Sequence, residues 1–415
     1  MIETDIAIVG GGLAGSTTAA MLGRAGISAV MIDPHTVYPP DFRCEKIAGP
    51  HIDALKRTGL ADLVLPATTF DGEHSDGTTW ISRFGRLVDR RPGDQHGIMY
   101  DHFVNTMRRA IPANVPQYAL KVTGITTSAD RQHVTLANGE IVSARLVVLA
   151  SGLNLGIRHW LGIEREVISP CHSITIGFNM RPVGRASFDF GSLTHYTERL
   201  SDKMAYITLF PIGDAMRANL FTYRSADDPW LREIRQDPVA SLHKLMPNLA
   251  RLTGDFEIDG PMRIRPADLY ISKGHLQPGV VVVGDAFATS CPAAGTGSYK
   301  VFTDVERLCN VHIPNWLTSE GMDTAKIAAF YDDPVKRACD EFSFKEAYAL
   351  RSMSIDSGLI WQMHRWARFG MRFARGTLRR RLHQTQTMTS VSSKSDPKSE
   401  AKSEPVAQQA SRPAA

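Results

Sequence analysis

The stretch IAIVGGGLAGS, Ile6 to Ser16, constrains what this chain can fold into more than any other. An apolar run, Ile6 to Val9, reads as a buried strand, and Gly10, Gly12 and Gly15 follow at GxGxxG spacing. The pattern then turns helical from Ser16 to Arg24 and stops at Gly26. Strand, tight turn and helix in that order make a dinucleotide-binding unit. The first glycine permits the turn, the second lets backbone approach a pyrophosphate, and the third lets helix pack closely on strand. Leu13 and Ala14 complete the loop, and the helix start offers its free N–H groups to the phosphates. A second apolar run, Ala29 to Ile32, ends at Asp33, eighteen positions beyond Gly15. A carboxylate there meets the 2′-hydroxyl of an adenosine ribose and repels a 2′-phosphate. This unit does not separate NAD from FAD, because both present the same ADP half.

A second glycine-rich turn resolves the choice. In VVVVGDAFATSCPAAGTG, the strand-like Val280 to Val283 runs into Gly284 and Asp285, and Pro292 to Gly297 leads into a helix over Ser298 to Leu308. The two motifs together resemble the flavoproteins of the p-hydroxybenzoate hydroxylase fold, a superfamily of aromatic and ubiquinone hydroxylases, geranylgeranyl reductases and halogenases. The resemblance implies FAD, with Asp285 accepting from a ribitol hydroxyl and Gly284, Gly295, Thr296 and Gly297 around the flavin ring. A helix N-terminus at the pyrimidine edge favours reduced flavin by about 0.3–2 kcal/mol.

The resemblance continues elsewhere. FRCEKIAGPHIDALKRTGL is similar to the segment where the family places an arginine near the flavin, which implies Arg43. GIMYDHFVNTMRRAI, residues 97–111, is similar to the family's helix before a small meander, whose hairpin signal is Asn138-Gly139. In LVVLASGLNLGIR, Leu146 to Arg158, Gly152 and Arg158 fit, but Ser151 stands where the family usually has aspartate. In the hydroxylases of this fold the Asp-Gly motif is associated with both flavin binding and handling of the nicotinamide donor. Ser151 therefore weakens the implied direct reduction by NADH or NADPH and leaves FAD binding largely untouched. Asp304, inside KVFTDVERL, is expected to be structural.

The expected fold is α/β: a Rossmann-like FAD-binding domain, an inserted antiparallel-sheet substrate domain and a C-terminal helical region. FAD-binding parts are expected at 1–70, 97–170 and 275–330, with a substrate-domain excursion at 71–96 and the substrate domain proper at 171–274. Helices follow at 331–385 and a disordered tail at 386–415, where apolar residues nearly vanish. Alternating stretches at His172–Met180, Ala186–His195 and Ala205–Arg224 supply the sheet, and Asp228–Leu252 reads as helical. His172, His195, Tyr196, Tyr206, Tyr223 and Arg263 fall on these elements, yet none has a pattern that makes it catalytic. No catalytic side chain is obligatory, because the cofactor carries the chemistry. Cys291, before Pro292, is expected near the flavin as a small residue rather than a reactive thiol.

Charge and cysteine usage narrow the class. Lys and Arg exceed Asp and Glu by 47 to 43, with much of the excess in one C-terminal segment, which argues against nucleic-acid binding. The five cysteines show neither metal-ligand spacing nor a disulfide framework, which points to a reducing cytoplasmic compartment and no metal. No stretch approaches the roughly 20 apolar residues of a spanning helix, and no cleavable signal opens the chain. In LIWQMHRWARFGMRFARGTLRRRL, Arg365, Arg368, Arg372, Arg375 and Arg379 recur at steps of three and four, one stripe of a helix. Such a helix over 359–382 can make peripheral membrane contact or dock on its own domain with the arginines exposed.

Function follows the resemblance. The expectation is an FAD-dependent monooxygenase that hydroxylates an organic, lipophilic small molecule through a flavin C4a-hydroperoxide. The alternatives are a reductase of the geranylgeranyl reductase type and a non-catalytic flavin-binding protein. The halogenase signature Trp-x-Trp-x-Ile-Pro is absent.

Overall fold

The computed structural model describes residues 1–392. It opens with β1 (Ile2–Val9), α1 (Leu13–Arg24) and β2 (Ala29–Ile32), the expected unit with its helix starting three residues before Ser16. Gly10 has φ +106°, and a Cβ there would sit 2.5 Å from the Ala150 carbonyl oxygen. A Cβ on Gly15 would run into the Gly10 carbonyl. These two glycines let α1 leave the strand at close range.

Beyond β2 come β3 (Cys44–Ile47), a hairpin of β4 (Thr78–Arg83) and β5 (Arg86–Pro92), and β6 (His96–Met99) running into α2 (Tyr100–Arg109). A short strand, β7 (Gln117–Tyr118), precedes the meander β8 (Val122–Thr126), β9 (Gln132–Leu136) and β10 (Ile141–Leu149). The first sheet has the order β7-β2-β1-β10-β9-β8. β1 pairs in parallel with β2 and β10, and the meander strands pair antiparallel. Val280–Val282, here β16, pairs in parallel with the end of β10. The middle strands are buried on both faces, which is why they read as apolar runs without alternation.

The second sheet is built from β11 (Glu164–Pro182), β12 (Ser192–Tyr196), β13 (Met204–Ile212), β14 (Ala215–Thr222) and β15 (Phe256–Lys273). Its order is β15-β11-β14-β13-β12-β4-β5, so the hairpin from residues 71–96 joins it. The division expected at 170/171 falls inside β11, which runs unbroken from the first region into the second and bulges around Cys171, at φ +42°. The stretch expected as strand from Ala186 begins only at Ser192.

Alternation on these strands creates two different faces. Ile174, Ile176 and Phe178 of β11, Ile207 and Leu209 of β13, and Ala218 and Leu220 of β14 pack under helices at Trp230–Gln236 and Pro238–Leu245. The residues between them face the other way, toward the first sheet.

The chain closes with α3 (Gly297–Arg307), α4 (Pro334–Ile355) and α5 (Leu359–Ser392). Helix α5 continues through 386–392, where the sequence reading begins an unstructured tail; residues 393–415 of that expected tail lie outside the described residues. Among the described residues, no helix is long and apolar enough to cross a membrane.

Candidate functional site

The two glycine turns meet. A Cβ on Gly284, at φ +61°, would lie 3.3 Å from the Cβ of Ala14 and 3.4 Å from Val301 in α3, so the loop after β16 presses against the starts of both α1 and α3. Around this junction opens a cavity of about 550 Å³. Leu13, Arg43, Asp285, Gly295, Gly297 and Ser298 form one wall. The other is the free face of the second sheet: Thr175 on β11, Tyr206, Thr208 and Phe210 on β13, and Arg217, Asn219 and Phe221 on β14. These alternate with the core residues of the same strands, so strand periodicity decides which side chains reach the cavity.

The first wall suits a flavin. Asp285 faces the cavity, and no described residue donates a hydrogen bond to its carboxylate. Burial raises its pKa, while Arg43, Lys300, Arg265 and Arg158 pull the other way. Its carboxyl is therefore free to hydrogen-bond a group placed in the cavity. Gly295, at φ +67°, and Gly297 have open space where a Cβ would be, in front of the α3 N-terminus with its unpaired N–H groups. Arg43 is held by Asp41 at 2.6 Å and by the Tyr38 hydroxyl at 2.9 Å, with its guanidinium 3.9 Å from the Tyr100 ring centroid. Burial works against that charge, but Tyr100 and Asp41 outweigh it and hold the pKa above the ordinary arginine value. Glu45 accepts from Ser298 Oγ at 3.0 Å, and burial raises its pKa.

At the other end, a Cβ on Gly12 meets nothing within 4 Å, so the first turn is open where a pyrophosphate would approach. Asp33 stands at the end of β2 and accepts from Gly11 N at 2.7 Å and His35 N at 2.9 Å. Arg108 of α2 pairs with it at 3.1 Å and donates to the Gly11 carbonyl at 2.8 Å. Sequence reasoning missed Arg108. The signal was available in Arg108-Arg109, where helical spacing puts Arg108 one turn after Val104 on the buried face.

Of the residues expected around FAD, Leu13, Arg43, Asp285, Gly295 and Gly297 line the cavity. Gly10, Gly12, Ala14 and Gly15 lie in the first turn and the start of α1, Asp33 stands at the end of β2 against that turn, and Gly284 is at the junction. The Thr296 side chain turns away: it is buried, with its hydroxyl 2.7 Å from Ser343 Oγ on α4. Gly152, at φ +56°, follows Ser151, whose Cα lies 3.2 Å from where a Gly10 Cβ would be. Arg158 is fully buried and donates to the Ala286 carbonyl at 2.9 Å, which fastens this segment to the second turn. Asp304 is structural, as expected: it is fully buried between Lys300 and Lys336.

Among the substrate-domain candidates, Tyr206 reaches the cavity and Tyr196 a neighbouring one. His172 and His195 are fully buried, hydrogen-bonded to Ser169 and to Ser82 and Glu198. Tyr223 is buried and Arg263 exposed on β15. Cys291 lines the cavity, and burial raises its pKa, which keeps it a thiol.

The C-terminal stripe is only partly exposed: Arg368 and Arg375 are exposed, Arg372 is half-buried and Arg365 is buried. Arg365 is buried and donates to the Met353 and Asp356 carbonyls, and Arg365, Arg368, Arg372 and Arg375 all line a second cavity. The side chain of Arg379 lies outside the described residues. Helix α5 docks on the β4–β5 hairpin: Phe84, at φ +49°, sits 5.2 Å from Trp366 and 5.6 Å from Phe369. A Cβ on Gly376 would strike the Val88 carbonyl. Large apolar residues are exposed on α5 as well, among them Leu359, Met363, Trp366 and Phe373.

Comparison with known proteins agrees with this geometry. The chain is 25% identical over 337 residues to 3-demethoxyubiquinol 3-hydroxylase of Escherichia coli (strain K12), covering 74% of this chain and 79% of that protein. Its fold matches p-nitrophenol 4-monooxygenase of Pseudomonas putida DLL-E4 with a TM-score of 0.67 at 18% identity, covering 90% and 94% of the two chains. A flavin-dependent brominase matches with a TM-score of 0.65 at 16% identity, covering 84% and 88%. The sequence profile described as FAD binding domain matches residues 3–311. With both glycine turns assembled at one cavity, this chain belongs to that FAD-binding family of flavin-dependent oxidoreductases.

Proposed function

We propose that this protein is an FAD-dependent monooxygenase that hydroxylates an organic small molecule, with NADH or NADPH as electron donor. The observation that carries the reading is the single cavity with a flavin-type wall opposite a mixed apolar and polar wall. The names of the Escherichia coli hydroxylase and the Pseudomonas putida monooxygenase support it. Bound and reduced, FAD supplies oxygen activation and transfer of one oxygen atom to substrate. The chain's part is to bind, orient and exclude water.

Asp33 and Arg108 fix the adenosine end, and Gly12 leaves room for the phosphates. Asp285 holds the sugar-alcohol bridge. Phe210, Phe221 and Tyr206 offer apolar surface to a substrate, and Thr208 and Asn219 offer hydrogen bonds that set its orientation. Thr175 Oγ1 is buried with no hydrogen-bond partner among the described residues, a polar atom available to a ligand.

The test is incubation of purified yellow protein with NADH or NADPH, candidate substrates and ¹⁸O₂. One labelled oxygen in the product, with oxygen uptake matching donor oxidation, is the expected result. Ser151, in place of the family's aspartate, keeps a reductase as the second reading. Substrate reduction without oxygen would establish it.

A cytoplasmic location with peripheral membrane contact through 359–382 belongs to the same proposal. It is supported by five free cysteines and by the exposed apolar residues of α5, which stand beside the exposed Arg368 and Arg375. Truncation after Asp356 is expected to abolish sedimentation with phosphatidylcholine–phosphatidylglycerol liposomes. Equal pelleting of the truncated and full chains would remove the contact.

A further inference from the structure

The second cavity, about 500 Å³, has a composition unlike the first. Arg83, Arg365, Arg368, Arg372, Arg375 and Lys46 line it, against one carboxylate, the exposed Glu346. Arg365 is satisfied by the carbonyls of Met353 and Asp356. Arg368, Arg372 and Arg375 make no ion pair with any described residue. Arg83 is 9% exposed, lies 3.7 Å from the Tyr196 ring centroid, and its Nε has no hydrogen-bond partner among the described residues. Arg372 approaches the same ring at 5.8 Å.

Gathering cations in a concave site without counter-charge is costly: the buried Arg83 and half-buried Arg372 lose hydration, and both are repelled by their neighbours, among them the exposed Arg368 and Arg375. Burial, opposed by Tyr196 but reinforced by Arg372 and Arg368, brings the Arg83 pKa down to about 10. An anion placed among these groups adds an attraction to each guanidinium that offsets both the burial and the mutual repulsion. Planar guanidiniums suit carboxylate and phosphate oxygens through paired hydrogen bonds.

The position of the cavity indicates whose anion it takes. Lys46 and Tyr206 line both cavities. Ala293 and Ala294 line the second, whereas Pro292 and Gly295 of the same loop line the first. The Tyr206 hydroxyl donates to the Ala293 carbonyl at 2.6 Å, so one tyrosine and one loop divide them. Lys46 donates to Thr208 Oγ1 at 3.0 Å, facing the substrate wall.

We propose that the arginine cavity seats an anionic group, a carboxylate or phosphate, carried by the substrate whose other end reaches the flavin side past Lys46 and Tyr206. This rests on the monooxygenase reading for the identity of the first cavity.

The test uses the full chain, loaded with FAD and verified by its flavin absorbance, so loss of the flavin reading is recognised before any anion is added. Inorganic pyrophosphate is titrated calorimetrically at low salt. Saturable binding is expected, weakened at least tenfold in Arg372→Gln and in Arg83→Gln, and unchanged in Arg232→Gln, an exposed arginine on the helix Trp230–Gln236. Absence of saturable binding, or equal binding by all variants, would overturn the proposal. KM values for NADPH and NADH are then compared in the same proteins. Unchanged values are expected; a rise confined to NADPH would overturn the assignment to substrate and give the cavity to the donor's 2′-phosphate.

Discussion

Asp285 combines burial with an unclaimed carboxylate, a combination a folded chain tolerates chiefly where a ligand completes it. A hydrogen bond to a charged group contributes about 1.5–3 kcal/mol. Asp285→Ala is therefore expected to weaken FAD binding roughly ten- to a hundredfold, measured by flavin fluorescence on titrating the apoprotein. An unchanged Kd would detach Asp285 from the cofactor. The residue was legible because a strand ending in Gly-Asp ahead of a second glycine turn is a local pattern. Arg108 was not, since its partners Asp33 and Gly11 lie far along the chain and only the fold brings them within reach. Thr296 was legible in place but not in direction: its neighbours Gly295 and Gly297 line the cavity, while its hydroxyl points to Ser343.

At the scale of elements, the start of α4 is fixed by one carboxylate. Asp333 accepts from the N–H groups of Val335 and Lys336 and pairs with Arg307 of α3 at 2.9 Å and His312 at 3.1 Å. Burial opposes its charge, yet Arg307, the Lys336 N–H and His312 bring its pKa down to about 2 from 3.8. Because the folded value lies below the unfolded one, this stabilisation is present above pH 3.8 and fades as pH falls toward 2. The linkage is about 2 kcal/mol. Asp333→Asn should flatten that part of the acid-stability curve, followed by urea denaturation at each pH. A curve as steep as that of the parent protein would place the acid sensitivity elsewhere.

Helix α5 gives a second element-scale expectation. Gly376→Val should lift the helix from β5 and speed proteolytic cleavage within α5 several-fold, with little effect on FAD binding. Unchanged protection would show that the contact with Val88 is dispensable. The arginine stripe itself was plain from spacing. Its direction was not, because periodicity defines a face without saying what lies opposite it, and the β4–β5 hairpin it meets comes from nearly three hundred positions earlier.

Over the whole molecule, the two sheets share the cavity between them, and Ile271 of β15 packs against the core of the first sheet. A ligand gripping both walls therefore stabilises both. At FAD concentrations a hundredfold above Kd the gain is about 2.7 kcal/mol, and a single thermal transition should rise by several degrees. Two transitions, only one of them shifted, would show the sheets unfolding separately. The α/β class and the inserted antiparallel sheet were readable from unbroken apolar runs on one side and alternation on the other. The junction at residue 170 was not, because a strand that serves two regions carries no breaker at their border.

The contact between Gly284 and Ala14 joins positions 270 apart in the chain. A ribosome making this protein exposes the first turn long before the second exists, and everything between them must first find its place. Loading with cofactor is thus a late step of biogenesis, an all-or-none signature that synthesis has passed the final strand of the first sheet.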